Sequence, residues 1–304
     1  MKSSGAPQIS TTDPDSRSVV FQRKSVKVGY NVQAVADSKH KLLIHADTGN
    51  VNDSHDLAPM AIESKELLGK ESITILGDKG YNTGEQLKKC KDHNITTFIS
   101  PKDTSGSSKD CYSVELFRYN PEDDTYTCPA NKILKTNGNL YSKGKANYRM
   151  KQYKTKACDY CEIRNQCTKN KSGRILERSE FQELTDENNQ RVENNPDYYR
   201  QRQQIIEHPF GTIKRQWGFE FTLLKGKEGV LSEVNLMFIV YNLTRIMSIL
   251  GQEELTKRLR ALCFGIKSKI WVILRQYKGL LQFINYQVQN YFFRKSVLVV
   301  LNMR

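Results

Sequence analysis

The chain has 304 residues, enough for one large domain or two smaller ones with a sizeable core. Apolar residues make up 38% and charged residues 26%, which excludes a disordered or collagen-like chain. A net charge of +14 and a pI near 9.3 point to a polyanionic partner such as nucleic acid. The start, Met1-Lys-Ser-Ser-Gly, has no apolar leader, and no uncharged apolar run reaches roughly 18 residues, so no membrane span and a cytoplasmic location are expected. The seven cysteines then belong in a reducing compartment, where clustered thiols more often hold metal than form disulfides.

Residues 1–27 read as a polar tail, with Thr12-Asp13-Pro14-Asp15-Ser16 as turn chemistry. From 28 to 47 the alternation of Val28, Tyr30, Val32, Ala34 and Ala36 predicts a strand. Asp37 to His40 makes a turn, and Leu42-Leu43-Ile44 returns as a second strand. A helix is predicted over about 56–68 and a buried strand over 73–77. A helix over 82–92 follows, capped by Asn82 or Thr83, and then a strand at 96–99. This strand–helix–strand spacing predicts an α/β core over 28–125 with parallel pairs.

Residues 126–175 form a cysteine-rich module. Between Lys143 and Lys156 it carries six cations and no acid. Residues 174–194 read as one short helix and a loop. Asn195-Pro196 starts a helix that runs towards Trp217, with Ile206, Phe210, Ile213 and Trp217 as its core stripe and a kink at Pro209. Residues 232–250 are the clearest helix, and with it the core region 176–250 ends at Gly251. The remainder, 251–304, is a basic aromatic tail with ten cations against two acids.

Two carboxylates stand out. Asp78 follows the apolar run Ile73, Ile75, Leu76 in Gly77-Asp-Lys-Gly-Tyr81, so a buried strand delivers it to its carboxyl end, with glycines that allow a close approach. Glu207 lies on the 196–217 helix in one row with Arg200 and Lys214, because positions seven apart are nearly eclipsed. Acids on two rigid elements of a basic chain suit a hard divalent ion working on nucleic acid. Each also has a plainer reading: Asp78 as the cap of the next turn, and Glu207 as part of a solvated helix face.

Three segments together are more specific: Val28-Gly-Tyr-Asn-Val-Gln-Ala-Val-Ala-Asp37, Gly77-Asp-Lys-Gly-Tyr81 and Ile206-Glu-His-Pro-Phe-Gly-Thr-Ile-Lys-Arg215. They resemble the DDE transposases of bacterial insertion sequences, from about Thr12 to Gly251. The resemblance implies an RNase H-like mixed sheet flanked by helices, interrupted by a cysteine-rich insertion and followed by a helical carboxyl-terminal region. It also implies Mg²⁺- or Mn²⁺-dependent strand cleavage and transfer at transposon terminal inverted repeats and target DNA, with a homodimer in the DNA complex. On that basis Asp78 and Glu207 are the catalytic, metal-holding acids. Tyr199, Arg202, Lys214 and Arg215 face DNA, with Arg202 one residue further from the Glu than the usual signature has it.

The family's first catalytic Asp sits on a strand upstream of the hairpin, and no apolar run of that kind precedes Val28 here. Asp15, Asp37 and Asp47 each read as turn residues. The chain is therefore expected to carry two of three acids and to be inactive alone, as if truncated. The alternative is a non-catalytic DNA-binding remnant of the same fold, and a more distant one is an unrelated zinc-stabilised RNA-binding protein. Cys128 and the Cys158-x2-Cys161-x5-Cys167 run supply four thiolates for structural Zn²⁺. Free buried thiols or a redox pair are the other readings. The five histidines show no metal spacing.

Overall fold

The computed structural model describes residues 10–20, 26–49, 53–102, 111–142, 148–266 and 297–303. The chain divides into two compact units, one built from 1–100 and 188–304, the other from 101–187.

In the first unit, β1 (Arg17–Val20) pairs antiparallel only with β2 (Val26–Gly29). The alternation expected from Val28 onwards therefore breaks at Tyr30 and Asn31. A separate strand, β3 (Val32–Asp37), pairs antiparallel with β4 (Leu43–Thr48) across a bulge at Val35/Ala36. The reversal uses a positive φ of 58° at Lys41, just beyond the predicted turn. Helix α1 (Leu57–Leu67), strand β5 (Ile73–Gly77), helix α2 (Gly84–Asp92) and strand β6 (Ile95–Ile99) follow, with β5 and β6 parallel. Neither Asn82 nor Thr83 caps α2 through its side chain. The Thr83 hydroxyl donates to the Ser54 carbonyl instead.

The second unit is built from short strands: β7 (Arg118–Asn120), β8 (Thr125–Thr127) and β9 (Ile133–Lys135) in one sheet, then β10 (Tyr141–Ser142), β11 (Arg149–Tyr153) and β12 (Leu176–Ser179) in another, with the short helix α3 (Arg164–Cys167) between β11 and β12. Its core is small: Phe117, Tyr126, Leu134, Tyr153, Cys167 and Leu176. The Asp124 carboxylate ties it together. Asp124 accepts from Lys151 Nζ and Tyr153 Oη at 2.6 Å each and from Tyr119 Oη at 2.9 Å.

Helix α4 (Gln182–Asn194) is longer than the short helix predicted, and the boundary between the units falls within it. Then come α5 (Pro196–Phe210), α6 (Lys227–Leu250) and α7 (Gln252–Ile266). The last described element is strand β13 (Val297–Met303). Residues 267–296, the bulk of the predicted tail, lie outside the described residues.

The principal sheet has the order β4-β3-β13-β5-β6. β13 runs antiparallel to β3 (Val300 opposite Val35) and parallel to β5 (Val299 opposite Leu76). Residues at the end of the basic tail thus form a central strand. Val297-Leu-Val-Val-Leu301 is β-branched and apolar, as a strand with neighbours on both sides requires.

One face of the sheet carries Leu57, Met60, Ala61 and Leu87 from α1 and α2, packed with Val35, Ile44 and Ile75. The other carries Ile205, Val230, Val234, Phe238 and Tyr241 from α5 and α6, packed with Val32, Ala34, Ala36 and Leu76. Two covered faces explain why every residue of β3 is buried. α6 is long and apolar enough to cross a membrane by length and composition alone. Here its residues Val230, Val234, Phe238 and Tyr241 bury against the sheet.

On each sheet edge one residue is capped by an asparagine. Asn242 of α6 accepts from the Leu43 N–H at 2.8 Å and donates to the Leu43 carbonyl at 2.7 Å. Asn188 of α4 does the same to Ile99, at 3.0 Å and 2.7 Å. A side-chain amide here stands in for a further strand, which satisfies edge groups and blocks pairing with another chain.

Candidate active site

β5 ends at Gly77, and Asp78 turns out of the sheet with extended backbone (φ −80°, ψ 166°). One carboxylate oxygen of Asp78 accepts from the Lys79 N–H at 2.8 Å, capping the 3₁₀ turn Lys79–Tyr81. The plainer capping reading is therefore present, and it leaves the carboxylate 59% exposed. The glycines beside it make room for the protein's own side chains. A Cβ on Gly77 would lie 2.8 Å from Ile99 Cδ1, and one on Gly80 would lie 3.0 Å from Asp53 Oδ2.

Beneath that turn lies a buried polar network. Asp53 Oδ1 accepts from Asn31 Nδ2 at 3.0 Å and from Gln33 Nε2 at 3.1 Å, while Tyr81 Oη donates to Gln33. No motif marks Asp53 in the sequence. The polar positions Asn31 and Gln33, beside apolar Val32 and Ala34, were the available signal.

α5 meets the end of β5. Tyr199 Oη donates to the Gly77 carbonyl at 3.0 Å, and the Arg202 guanidinium lies 3.9 Å from the Asp78 carboxylate and 5.5 Å from the Tyr199 ring. Three of the predicted site residues are thereby brought together: Tyr199, Arg202 and Asp78. Glu207 lies further along α5, exposed, on the helix whose buried side is Ile205 and Pro209. The innermost stripe is therefore Ile205, Pro209 and Ile213. Ile206, Phe210 and Trp217 pack at its margin.

The helix runs on past Pro209, as expected. The proline removes one backbone donor, and the turns that follow widen into a π-helix over Gly211–Gln216, with Trp217 N–H bonding the Thr212 carbonyl at 3.0 Å. Each residue of a π-turn rotates less than in an α-turn, so Lys214 drops out of the row it was expected to share with Arg200 and Glu207.

Lys214 instead lies 5.8 Å from the Phe210 ring centroid and lines a groove of about 570 Å³ with Lys27, Tyr30 and Phe221. Burial pushes the Lys214 ammonium pKa down, and Glu220 partly opposes that. Arg215 is exposed. Beside Glu207, His208 Nδ1 lies 2.7 Å from Tyr241 Oη. Burial, then the charges of Arg245 and Lys41, lower its pKa.

The other candidate acids accept backbone N–H groups, Asp37 and Asp47 from near neighbours in sequence and Asp15 from far along the chain. Asp15 accepts from the Lys227 N–H, Asp37 from the His40 N–H, and Asp47 from the Thr48 N–H. The sequence of β13, the strand beside β5, contains no carboxylate. Among the described residues, no three His, Cys, Asp or Glu side chains are assembled for an ion. Asp78 and Glu207 offer the oxygen donors a hard ion takes, and the Arg202 guanidinium lies 3.9 Å from Asp78.

Residues 127–247 match a family model described as "Transposase DDE domain". That match supports a DDE transposase. It takes in the cysteine module, α5 with Glu207 and most of α6, less than half of the chain, and it leaves Asp78 outside. No curated protein and no solved structure matches the chain.

In the second unit, burial pushes the Cys167 thiol pKa up. Arg174 opposes this, while Cys158, Cys128 and Cys161 add to it. The same unit holds Asp124 down at about 2. Burial works against that, but the hydrogen bonds from Lys151, Tyr153 and Tyr119 outweigh it.

Proposed function

We propose that the chain is a DNA transposase of the DDE type, cutting and joining DNA strands at the terminal inverted repeats of an insertion sequence, with Asp78 and Glu207 as two of its three catalytic acids; cleavage by this chain requires that another of its carboxylates be the third, and without one it is inactive alone. The observation that carries the reading is the docking of α5 on the end of β5. The helix bearing Glu207 sends Tyr199 to the Gly77 carbonyl and Arg202 to Asp78. Asp78 and the helix that carries Glu207 are thereby joined at the end of one strand.

The fold reading is RNase H-like. It is supported by the five-stranded mixed sheet, with an antiparallel pair on one side, a parallel pair on the other and helices on both faces. The segment 101–187 is then an insertion between β6 and the helix carrying Glu207.

Mg²⁺ or Mn²⁺, held by Asp78 and Glu207, would activate a water or hydroxyl nucleophile and stabilise the leaving oxygen. The chain's own residues do the rest. Asp78 keeps an exposed carboxylate while its backbone turn is pinned by Lys79 N–H and by Tyr199. Arg202 offsets the charge of Asp78 until phosphate arrives. Lys214 and Arg215 meet the DNA backbone, where each neutralised phosphate strengthens binding in a salt-dependent way. Two copies acting together on two ends, a cytoplasmic setting and target DNA as second substrate complete the reading. Zn²⁺ has no step in this reaction.

The alternative is a DNA-binding protein of the same fold without cleavage. The carboxylate-free sequence of β13 beside Asp78 favours it. Metal-dependent nicking separates the two. Under the transposase reading DNA is nicked and Asp78→Ala abolishes nicking; under the alternative DNA is bound and never cut.

A further inference from the structure

We propose that residues 101–187 hold one structural Zn²⁺ on the thiolates of Cys128, Cys158, Cys161 and Cys167. The four residues come from three local elements. Cys128 follows β8, Cys158 lies in the 3₁₀ turn Lys156–Tyr160 with Cys161 just beyond it, and Cys167 ends α3. All four line one small cavity of about 20 Å³, together with Phe117 and Leu134. That is room for a single water-sized particle. None of the four is in a disulfide.

The surrounding backbone is shaped for thiolate ligands. After Cys128 the chain turns back through Asn131, which has a φ of 53° and donates its N–H to the Cys128 carbonyl at 2.8 Å. The next N–H, of Lys132, donates to Cys128 Sγ at 3.3 Å. An N–H aimed at sulfur stabilises the charged form of the thiol. The second half has its own turn, with the Arg164 N–H bonding the Cys161 carbonyl at 3.1 Å and the Cys167 N–H bonding the Ile163 carbonyl at 3.1 Å.

Gly173, at φ +80°, closes over this half. A Cβ there would lie 2.7 Å from Cys158 Cβ and 3.2 Å from its sulfur. Arg174 follows, donating to the Cys167 carbonyl at 3.1 Å and lying 5.2 Å from the Phe117 ring. A tetrathiolate zinc centre carries net negative charge, and this guanidinium stands beside it.

As they stand, no three of these thiols are arranged to hold an ion. Binding has to bring the sulfurs inward and displace a proton from each thiol. Four soft sulfur donors select Zn²⁺ over the hard ions that carboxylates prefer. The energetic case is the small core of this unit. A hydrophobic cluster of this size is of the kind that metals commonly reinforce. An ion bridging Cys128 to the 158–167 segment would staple the β8–β9 hairpin to the turn and α3.

This proposal stands independently of DNA cleavage. The test is metal analysis of the full chain, purified without chelator from zinc-supplemented cells. Close to one zinc per chain is expected, falling to background in Cys161→Ser and Cys128→Ser and unchanged in Cys90→Ser. Because a ligand variant can fail by unfolding, wild-type protein is also exchanged with Co²⁺. The thiolate-to-cobalt charge-transfer band and the strong visible bands of a tetrahedral ion are expected. Gly173→Ala should weaken metal retention against a chelator at least tenfold. Protein with no bound zinc and no cobalt spectrum overturns the assignment. So does a mass lower by two hydrogens for each pair of these thiols, showing them oxidised to disulfides. Stoichiometric zinc in a chain that never nicks DNA supports the zinc site and counts against the transposase.

Discussion

Replacing Asn242 by leucine keeps the side chain's branching, at a larger volume, and removes both of its polar groups. The Leu43 N–H and carbonyl, bonded at 2.8 Å and 2.7 Å in the native protein, would then face apolar atoms with no partner. Each buried backbone group left unpaired costs about 1–3 kcal/mol, so Asn242→Leu should destabilise the first unit by about 4 kcal/mol. With a urea m-value of about 2 kcal/mol/M, the midpoint should fall by roughly 2 M at unchanged slope. Tryptophan fluorescence reports the transition, since Trp217 packs in the same cluster as Tyr241. Asn188→Ala, at the opposite edge, should cost a similar amount, and the two should add because they act on different strands. A loss below about 0.5 kcal/mol in both variants would refute the reasoning, because the edge groups would then be satisfied equally well without the amides.

Asp124→Asn should destabilise the second unit near neutral pH by about 1–2 kcal/mol, after discounting for solvent screening of a partly exposed group. Its carboxyl is depressed to about 2, so the wild-type contribution is full above the unfolded value near 3.8. It is lost as the pH falls through about 2, and the stability difference between wild type and variant should shrink to roughly half between pH 6 and pH 3. Lys214→Gln should weaken duplex binding at every sequence and reduce the slope of log affinity against log salt by about 1; an unchanged slope would remove Lys214 from the DNA-facing surface.

Much of the first unit was legible because local patterns and tertiary burial agree there. Ile73–Gly77 is short, apolar and glycine-ended, and it is a strand with those bounds. The helices expected over 82–92 and 232–250 are both present, the first beginning at Gly84 and the second five residues early at Lys227. The features that escaped depend on partners far away in sequence. β13 reads as the end of a basic tail until the sheet shows a place between β3 and β5. Asn188 and Asn242 look like ordinary polar helix residues until the strand edges they close are known.

Within the site, Asp78 at a strand end was readable from the glycine-bracketed turn. The link from Tyr199 and Arg202 to that turn, across more than a hundred residues of sequence, was not. Pro209 signalled a disturbed helix. Its outcome as a π-turn, which moves Lys214 off the Glu207 row, depends on how Ile213 finds the core.

The most direct test of the central claim is nicking of supercoiled DNA carrying the inverted repeats of the chain's own element, in Mg²⁺ or Mn²⁺, by wild type, Asp78→Ala and Glu207→Ala. The transposase account predicts metal-dependent nicking that both substitutions abolish while DNA binding persists. Nicking that survives both substitutions, or specific binding with no nicking under either ion, would contradict it.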